Sequence, residues 1–126
     1  MSGFVVLYNP DGSPVDAELL EQMTVYLAFR GPDATGIRIC GNIGMGHALL
    51  QTTFDQECEK QPCSIDEKVW ITGDIRLDGR GELVRLLQAV GRKISIDDPD
   101  IMLVLHGYHA WGQQVLDRIS GDFSFA

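Results

Sequence analysis

The tightest constraint on the fold sits at the very start of the chain. Phe4-Val5-Val6-Leu7-Tyr8 is a nearly unbroken run of β-forming apolar side chains, preceded by the small residues Ser2 and Gly3. Such a run reads as a strand buried on both faces over residues 3 to 8. Asn9-Pro10-Asp11-Gly12 must then turn, because Pro fixes φ and Gly is free to take φ > 0.

The remaining elements follow in order. Asp16 is placed to cap a helix running to about Ala28, with Leu19, Leu20, Met23, Tyr26 and Leu27 as its buried face. Arg30-Gly31-Pro32-Asp33-Ala34-Thr35-Gly36 breaks it and is read as irregular. Strands are expected at Ile37 to Cys40, Ile43 to Gln51 and Lys68 to Thr72, the last stopped by Gly73-Asp74. The polar stretch 52 to 66 between them reads as a surface loop. Glu82 to Val90 is amphipathic through Leu83, Leu86, Leu87 and Val90 and ends at Gly91, a usual residue just past a helix. Asp98-Pro99-Asp100 predicts the next helix start, with Asp98 as N-cap and Ile101, Val104, Leu105, Tyr108 and Trp111 as the stripe. Gly112 breaks it, Val115, Leu116 and Ile119 give a short further helix, and residues 122 to 126 begin a strand. A strand, a helix, several strands, helices and a strand make an α+β fold with non-adjacent pairing.

Charge and cysteine usage narrow the function classes. Eighteen acidic against 10 basic residues give a net charge of −8, which argues against a phosphate-backbone ligand. No apolar run approaches membrane-spanning length. Cys40, Cys58 and Cys63 are an odd set without framework spacing and read as free thiols of a cytoplasmic protein. His106 and His109, three apart on a helix, lack a third ligand and predict no metal site. At 126 residues, 44% of them hydrophobic, the chain is long enough for one domain with a real core.

Several short motifs then occur in a telling order. Ser2 follows the initiator methionine and precedes a β-run. Arg30-Gly31-Pro32-Asp33, Gly46-His47-Ala48-Leu49-Leu50, Thr72-Gly73-Asp74-Ile75, Asp97-Asp98-Pro99-Asp100 and Gly121-Asp122-Phe123-Ser124-Phe125-Ala126 come after it. Together they resemble the N-terminal glutamine-hydrolysing domain of the asparagine synthetase family, the class II glutamine amidotransferases. The resemblance covers essentially the whole chain. It implies an N-terminal-nucleophile-hydrolase fold, a four-layer α/β/β/α sandwich, incomplete at the C-terminus because further strands and an ATP-using synthetase domain would follow. No Ser-Gly-Gly-x-Asp-Ser pyrophosphate loop occurs here. The resemblance therefore implies no cofactor for these residues, with ATP and Mg belonging to the synthetase domain.

The resemblance also assigns roles. Ser2 stands at the nucleophile position, where the family uses cysteine, and its α-amine would be the base once Met1 is removed. Gly73 and Thr72 stand where a backbone N–H and an asparagine side chain form the oxyanion hole. Asp74 and Asp98 match the ligands of the substrate amine, although an Asp before a Pro-led helix is also explained as an N-cap. Leu49 replaces the arginine that grips the α-carboxylate, and Arg30, of the Arg-Gly-Pro-Asp motif, is expected with it among the substrate-binding positions. His47 is expected to be a structural hydrogen-bonder.

Changes at nucleophile, clamp and side-chain donor fall on the same ligand. They point to a glutaminase-type domain of an amide-forming enzyme in which glutamine hydrolysis is weak or lost and the domain acts as scaffold. Two other readings stand beside it: an active serine N-terminal-nucleophile amidohydrolase, and a non-catalytic docking module for a partner synthetase. The partners expected are glutamine or no small molecule, the chain's own synthetase domain and a second copy in a homodimer, with no nucleic acid and no membrane.

Overall fold

The computed structural model describes residues 2–51 and 59–126. The chain divides into two compact units, Met1–Asp74 with Phe125–Ala126, and Ile75–Ser124.

In the first unit, β1 (Gly3–Tyr8), β2 (Ala34–Cys40) and β3 (Ile43–Leu49) form an antiparallel sheet in the order β1-β3-β2. The register runs from Gly3 opposite Ala48 to Tyr8 opposite Ile43, and from Ala34 opposite Leu49 to Cys40 opposite Ile43. The opening run is thus an edge strand of this sheet, and Tyr8 is exposed. Its four central residues are half-buried, not fully buried as the apolar run predicts. β2 also begins earlier than expected, taking in Ala34-Thr35-Gly36, because each of these pairs with β3.

The central strand carries small residues for a reason. A Cβ on Gly44 would lie 2.8 Å from Leu20 and one on Gly46 2.0 Å from the Thr24 hydroxyl, so the helix α1 (Ala17–Tyr26) rests directly on this face. Asp16 caps α1 as expected, accepting from the Glu18 and Leu19 N–H groups at 3.0 and 3.1 Å. The helix ends earlier than predicted, passing into a 3₁₀ turn at Leu27–Phe29. Its buried seam is also narrower. Leu20 and Thr24 are buried, while Leu19, Met23 and Tyr26 are exposed. A glycine-lined strand receives one row of helix side chains spaced i, i+4, and leaves the flanking apolar rows outside it.

Residues 61–73 pass over the opposite face. A Cβ on Gly36 would come within 1.9 Å of the Gln61 carbonyl oxygen, and the Arg38 guanidinium stacks on the Trp70 ring at 4.3 Å. Here β4 (Cys63–Ser64) pairs antiparallel with β5 (Trp70–Ile71). Their connection is closed by side chains: Ser64 Oγ donates to Val69 O at 2.6 Å, and Asp66 Oδ1 accepts from the Lys68 and Val69 N–H groups. The expected loop is therefore partly strand, at Cys63–Ser64, and the expected strand is only Trp70–Ile71. The other expected loop residues 52–58, Cys58 among them, lie outside the described residues.

β6 (Gly73–Asp78) begins where the sequence predicts a stop, and pairs with β7 (Ser120–Phe125). In the second unit the Ile75-to-Asp78 part of β6 is joined by α2 (Arg80–Ala89), α3 (Asp100–Trp111) and a 3₁₀ turn at Gly112–Asp117. The core of this unit is built on Leu83, Leu87, Leu103, Leu105 and Val115. Leu86, Val90 and Tyr108, expected inside, are exposed, because the buried rows are shifted around each helix to Val84, Leu103 and His106. Gly91 follows α2 with φ +84° and Gly112 ends α3 with φ +59°, both as predicted.

The start of α3 departs from expectation. Pro99 occupies the cap position and no side chain caps the helix. Asp98 instead turns back, its Oδ2 accepting the Ser95 N–H at 2.6 Å. The helix entrance is held by Arg80, which donates to the carbonyls of Ile96 and Asp98 and pairs with Asp100 at 3.1 Å. Among the described residues no helix is long and apolar enough to cross a membrane.

Candidate functional site

The motif residues of the first unit gather around the end of β3. Ser2 Oγ accepts the Leu50 N–H at 3.1 Å, which ties the second residue of the chain to the segment just after that strand. The Gly31-Pro32-Asp33 loop lies flush against the same end, since a Cβ on Gly31 would sit 2.1 Å from the Ala48 carbonyl oxygen. Asp33 closes the contact twice, donating its N–H to Leu49 O at 3.0 Å and accepting the Gln51 N–H at 2.7 Å. Arg30 is close by: a Cβ on Gly3 would lie 3.6 Å from its Cδ. Ser2, Arg30, Asp33 and Leu49, far apart in sequence, thus share one strand end.

Further along β3, His47 is buried and its Nε2 lies 3.2 Å from the Gly73 carbonyl oxygen, so the ring donates there. Burial holds the imidazole below its ordinary value of 6.5, against smaller upward pulls from the Gly73 bond and the Asp74 charge. A neutral ring locked onto a backbone carbonyl is the structural hydrogen-bonder the motif predicts. Gly73 is held from its other side too: its N–H donates to Gln61 Oε1 at 2.7 Å. Thr72 Oγ1, fully buried, donates to that same oxygen at 3.3 Å. The paired backbone N–H and C=O of Thr72 bond Ala126 at 3.0 and 2.9 Å, which steadies the peptide before Gly73.

A cleft of about 340 Å³ is lined by His47, Leu49, Glu59, Gln61 and the Ala34-to-Ile37 stretch of β2 among others. Its wall at position 49 is an aliphatic side chain. Asp74 follows Gly73 and is half-buried. Asp98 belongs to the second unit, where its carboxylate is bound to the Ser95 N–H.

Gln61 and Glu59 were not among the residues the sequence singles out. They fall in a polar stretch without periodicity, and the only local signal is the proline after Gln61. The thiols have other characters. Burial, helped by the Glu59 charge, pushes Cys63 up to about 11, so it stays protonated and is a poor nucleophile. Cys40 is exposed. Among the described residues no group of three or more His, Cys, Asp or Glu side chains converges as a metal site would require.

The order of these motifs, with Ser2 bonded just past a Gly-His strand whose histidine holds Gly73, agrees with what comparison of the whole chain finds. Residues 1–126 match the glutamine amidotransferase domain family, and the chain belongs to it. A curated relative, asparagine synthetase [glutamine-hydrolyzing] 1 of Bacillus subtilis (strain 168), is 31% identical over 129 aligned residues. That alignment takes in 99% of this chain and 20% of the relative, so the chain spans about a fifth of its length.

Proposed function

We propose that this chain is the glutaminase-type domain of an asparagine-synthetase-like, ATP-dependent amide-forming enzyme, with glutamine hydrolysis weak or lost and the domain serving as scaffold. The observation that carries the reading is Leu49, an aliphatic wall of the cleft at the position where the family places an arginine. An arginine would grip a carboxylate in a bidentate, charge-assisted pair, and hydrogen bonds to charged groups contribute about 1.5–3 kcal/mol each. Leu49 contributes none of this. The hydroxyl at Ser2, in place of a thiol, and the hydroxyl at Thr72, in place of a carboxamide, weaken attack and oxyanion binding in the same site.

The four-layer sandwich belongs to the same proposal. It is supported by α1 lying on one face of the β1-β3-β2 sheet and by residues 61–73 covering the other. ATP and Mg would be held by a synthetase portion, because this chain carries no pyrophosphate loop. Its partner in this reading is that synthetase portion, with a homodimer as the assembly.

The test is ammonia release from L-glutamine by the purified protein. Release at background is expected, and robust turnover would overturn the scaffold reading.

A second reading is favoured by one contact, the Leu50 N–H that holds Ser2 Oγ beside the cleft wall. Oriented in this way, Ser2 could act as an N-terminal nucleophile. Its α-amine would take the hydroxyl proton as the Oγ–acyl bond forms, then pass it to the departing amine, and water would release the acyl group. That chemistry requires a free amine at Ser2, so an intact mass that retains Met1 excludes it.

A further inference from the structure

The buried Gln61 side chain plays no part in the roles assigned above, yet it engages both groups that stand at the oxyanion positions. Its Oε1 receives the Gly73 N–H at 2.7 Å and the Thr72 hydroxyl at 3.3 Å. Its Nε2 donates to Glu59 Oε1 at 2.6 Å. The residue is only 7% exposed. A side-chain carboxamide, oxygen toward two converging donors and nitrogen toward an acceptor, is the same chemical group that free glutamine would present there.

We propose that Gln61 is a built-in occupant of the carboxamide seat, holding the Thr72 and Gly73 donors against any free amino-acid amide. The inference rests on the reading above that these two residues are the oxyanion positions. The arrangement is held from several sides. The Gln61 backbone presses on Gly36, where even a Cβ would meet its carbonyl oxygen. His47 holds the Gly73 carbonyl and so limits how far the neighbouring N–H can swing. A tethered carboxamide acts at an effective concentration on the order of millimolar. A free ligand must displace it, and its apparent affinity falls by the fraction of molecules whose seat is open. Glutamine therefore meets an internal competitor as well as a missing carboxylate clamp.

The experiment follows the Gly73 amide resonance of the ¹⁵N-labelled full chain during titration with L-glutamine. The wild type is compared with Gln61→Ala and with Gln61→Met, which keeps the length and removes the acceptor. In the variants the Gly73 resonance should move saturably, with an apparent Kd at least about tenfold below that of the wild type. Variants that keep native dispersion but bind no more tightly than the wild type overturn the proposal.

A second measurement needs no variant. The Gln61 side-chain NH₂ protons should exchange with solvent at least about tenfold more slowly than those of exposed Gln113. Equal rates overturn the proposal even if every variant unfolds. The two readings fail separately. A wild type that releases ammonia from glutamine overturns the scaffold reading. An inert wild type whose folded variants gain no affinity leaves that reading standing and removes the occupant.

Discussion

At the scale of single residues, the proposed reading sets a close-packed glycine frame beside contact groups that differ from the family's. Gly31 and Gly36 keep positions where backbone meets backbone closely, and neither tolerates a bulkier residue without displacement. Gly36→Ala would drive a Cβ into the Gln61 carbonyl, a backbone atom that cannot rotate aside. Overpacking of this kind typically destabilises by about 1–3 kcal/mol. Urea denaturation of Gly36→Ala should show that loss, whereas Gly81→Ala, whose Cβ meets nothing within 4 Å, should not. The changed contact groups argue for a combined effect on chemistry. Ser2→Cys alone is expected to leave ammonia release from glutamine at background, because on the proposed reading the clamp and side-chain donor are still missing. Removing one oxyanion donor costs about 10²–10³ in kcat. Ser2→Cys combined with Leu49→Arg and Thr72→Asn should raise release above background in a coupled glutamate assay. Activity from Ser2→Cys alone would show that Leu49 and Thr72 do not limit the site.

At the scale of elements, local signals located the helices better than their faces. Asp16 precedes α1 and does cap it, so Asp16→Ala should cost about 1 kcal/mol of stability. Asp98 carries the same local signature but caps nothing, since Pro99 takes the cap position and Arg80 fastens the entrance. An Asp98→Ala variant should lose only the Ser95 bond and have less effect on helix content than Asp16→Ala in circular dichroism. Periodicity likewise marks α1 as amphipathic without saying which apolar row is covered. Leu20 is fully buried against Gly44 and Leu19 is 46% exposed. Leu20→Ala should therefore cost about 2–5 kcal/mol in chemical denaturation, and Leu19→Ala much less. Where the two variants prove equal, the seam described for α1 is wrong. β4 was illegible for a different reason: a strand of two residues has no period, and Ser64 and Asp66 close its turn through side chains.

At the scale of the whole molecule, stability should depend on pH through two buried imidazoles, one in each unit. Burial holds His47 below the ordinary 6.5. His106 is also held below it, first by burial and then by the Arg92 charge, with Arg92 Nε donating to its Nδ1 at 3.0 Å. In the folded chain both rings resist protonation, whereas unfolded imidazole binds its proton near 6.5. The unfolded state therefore takes up more protons as pH falls, and linkage makes the fold less stable. Their contribution is complete above about pH 6.5 and declines below it, toward the lowered folded-state values. Thermal melts between pH 7.5 and 5.5 should show the midpoint falling. Substituting both histidines with Gln should flatten that slope.

The sequence by itself determined the α+β class, the order of the elements apart from β4 and β6, and the turns at Gly12, Gly91 and Gly112, because these follow from local sterics and hydrophobic period. The family too was legible, since its motifs are short and contiguous. What only the tertiary structure decided is which chain passes over which face. It put β1 at a sheet edge, turned α1 on a single row of side chains, and brought Gln61 to the donors at Thr72 and Gly73. Those outcomes depend on contacts between residues distant in the chain, set by where backbones approach closely enough to exclude water, and no local pattern records them.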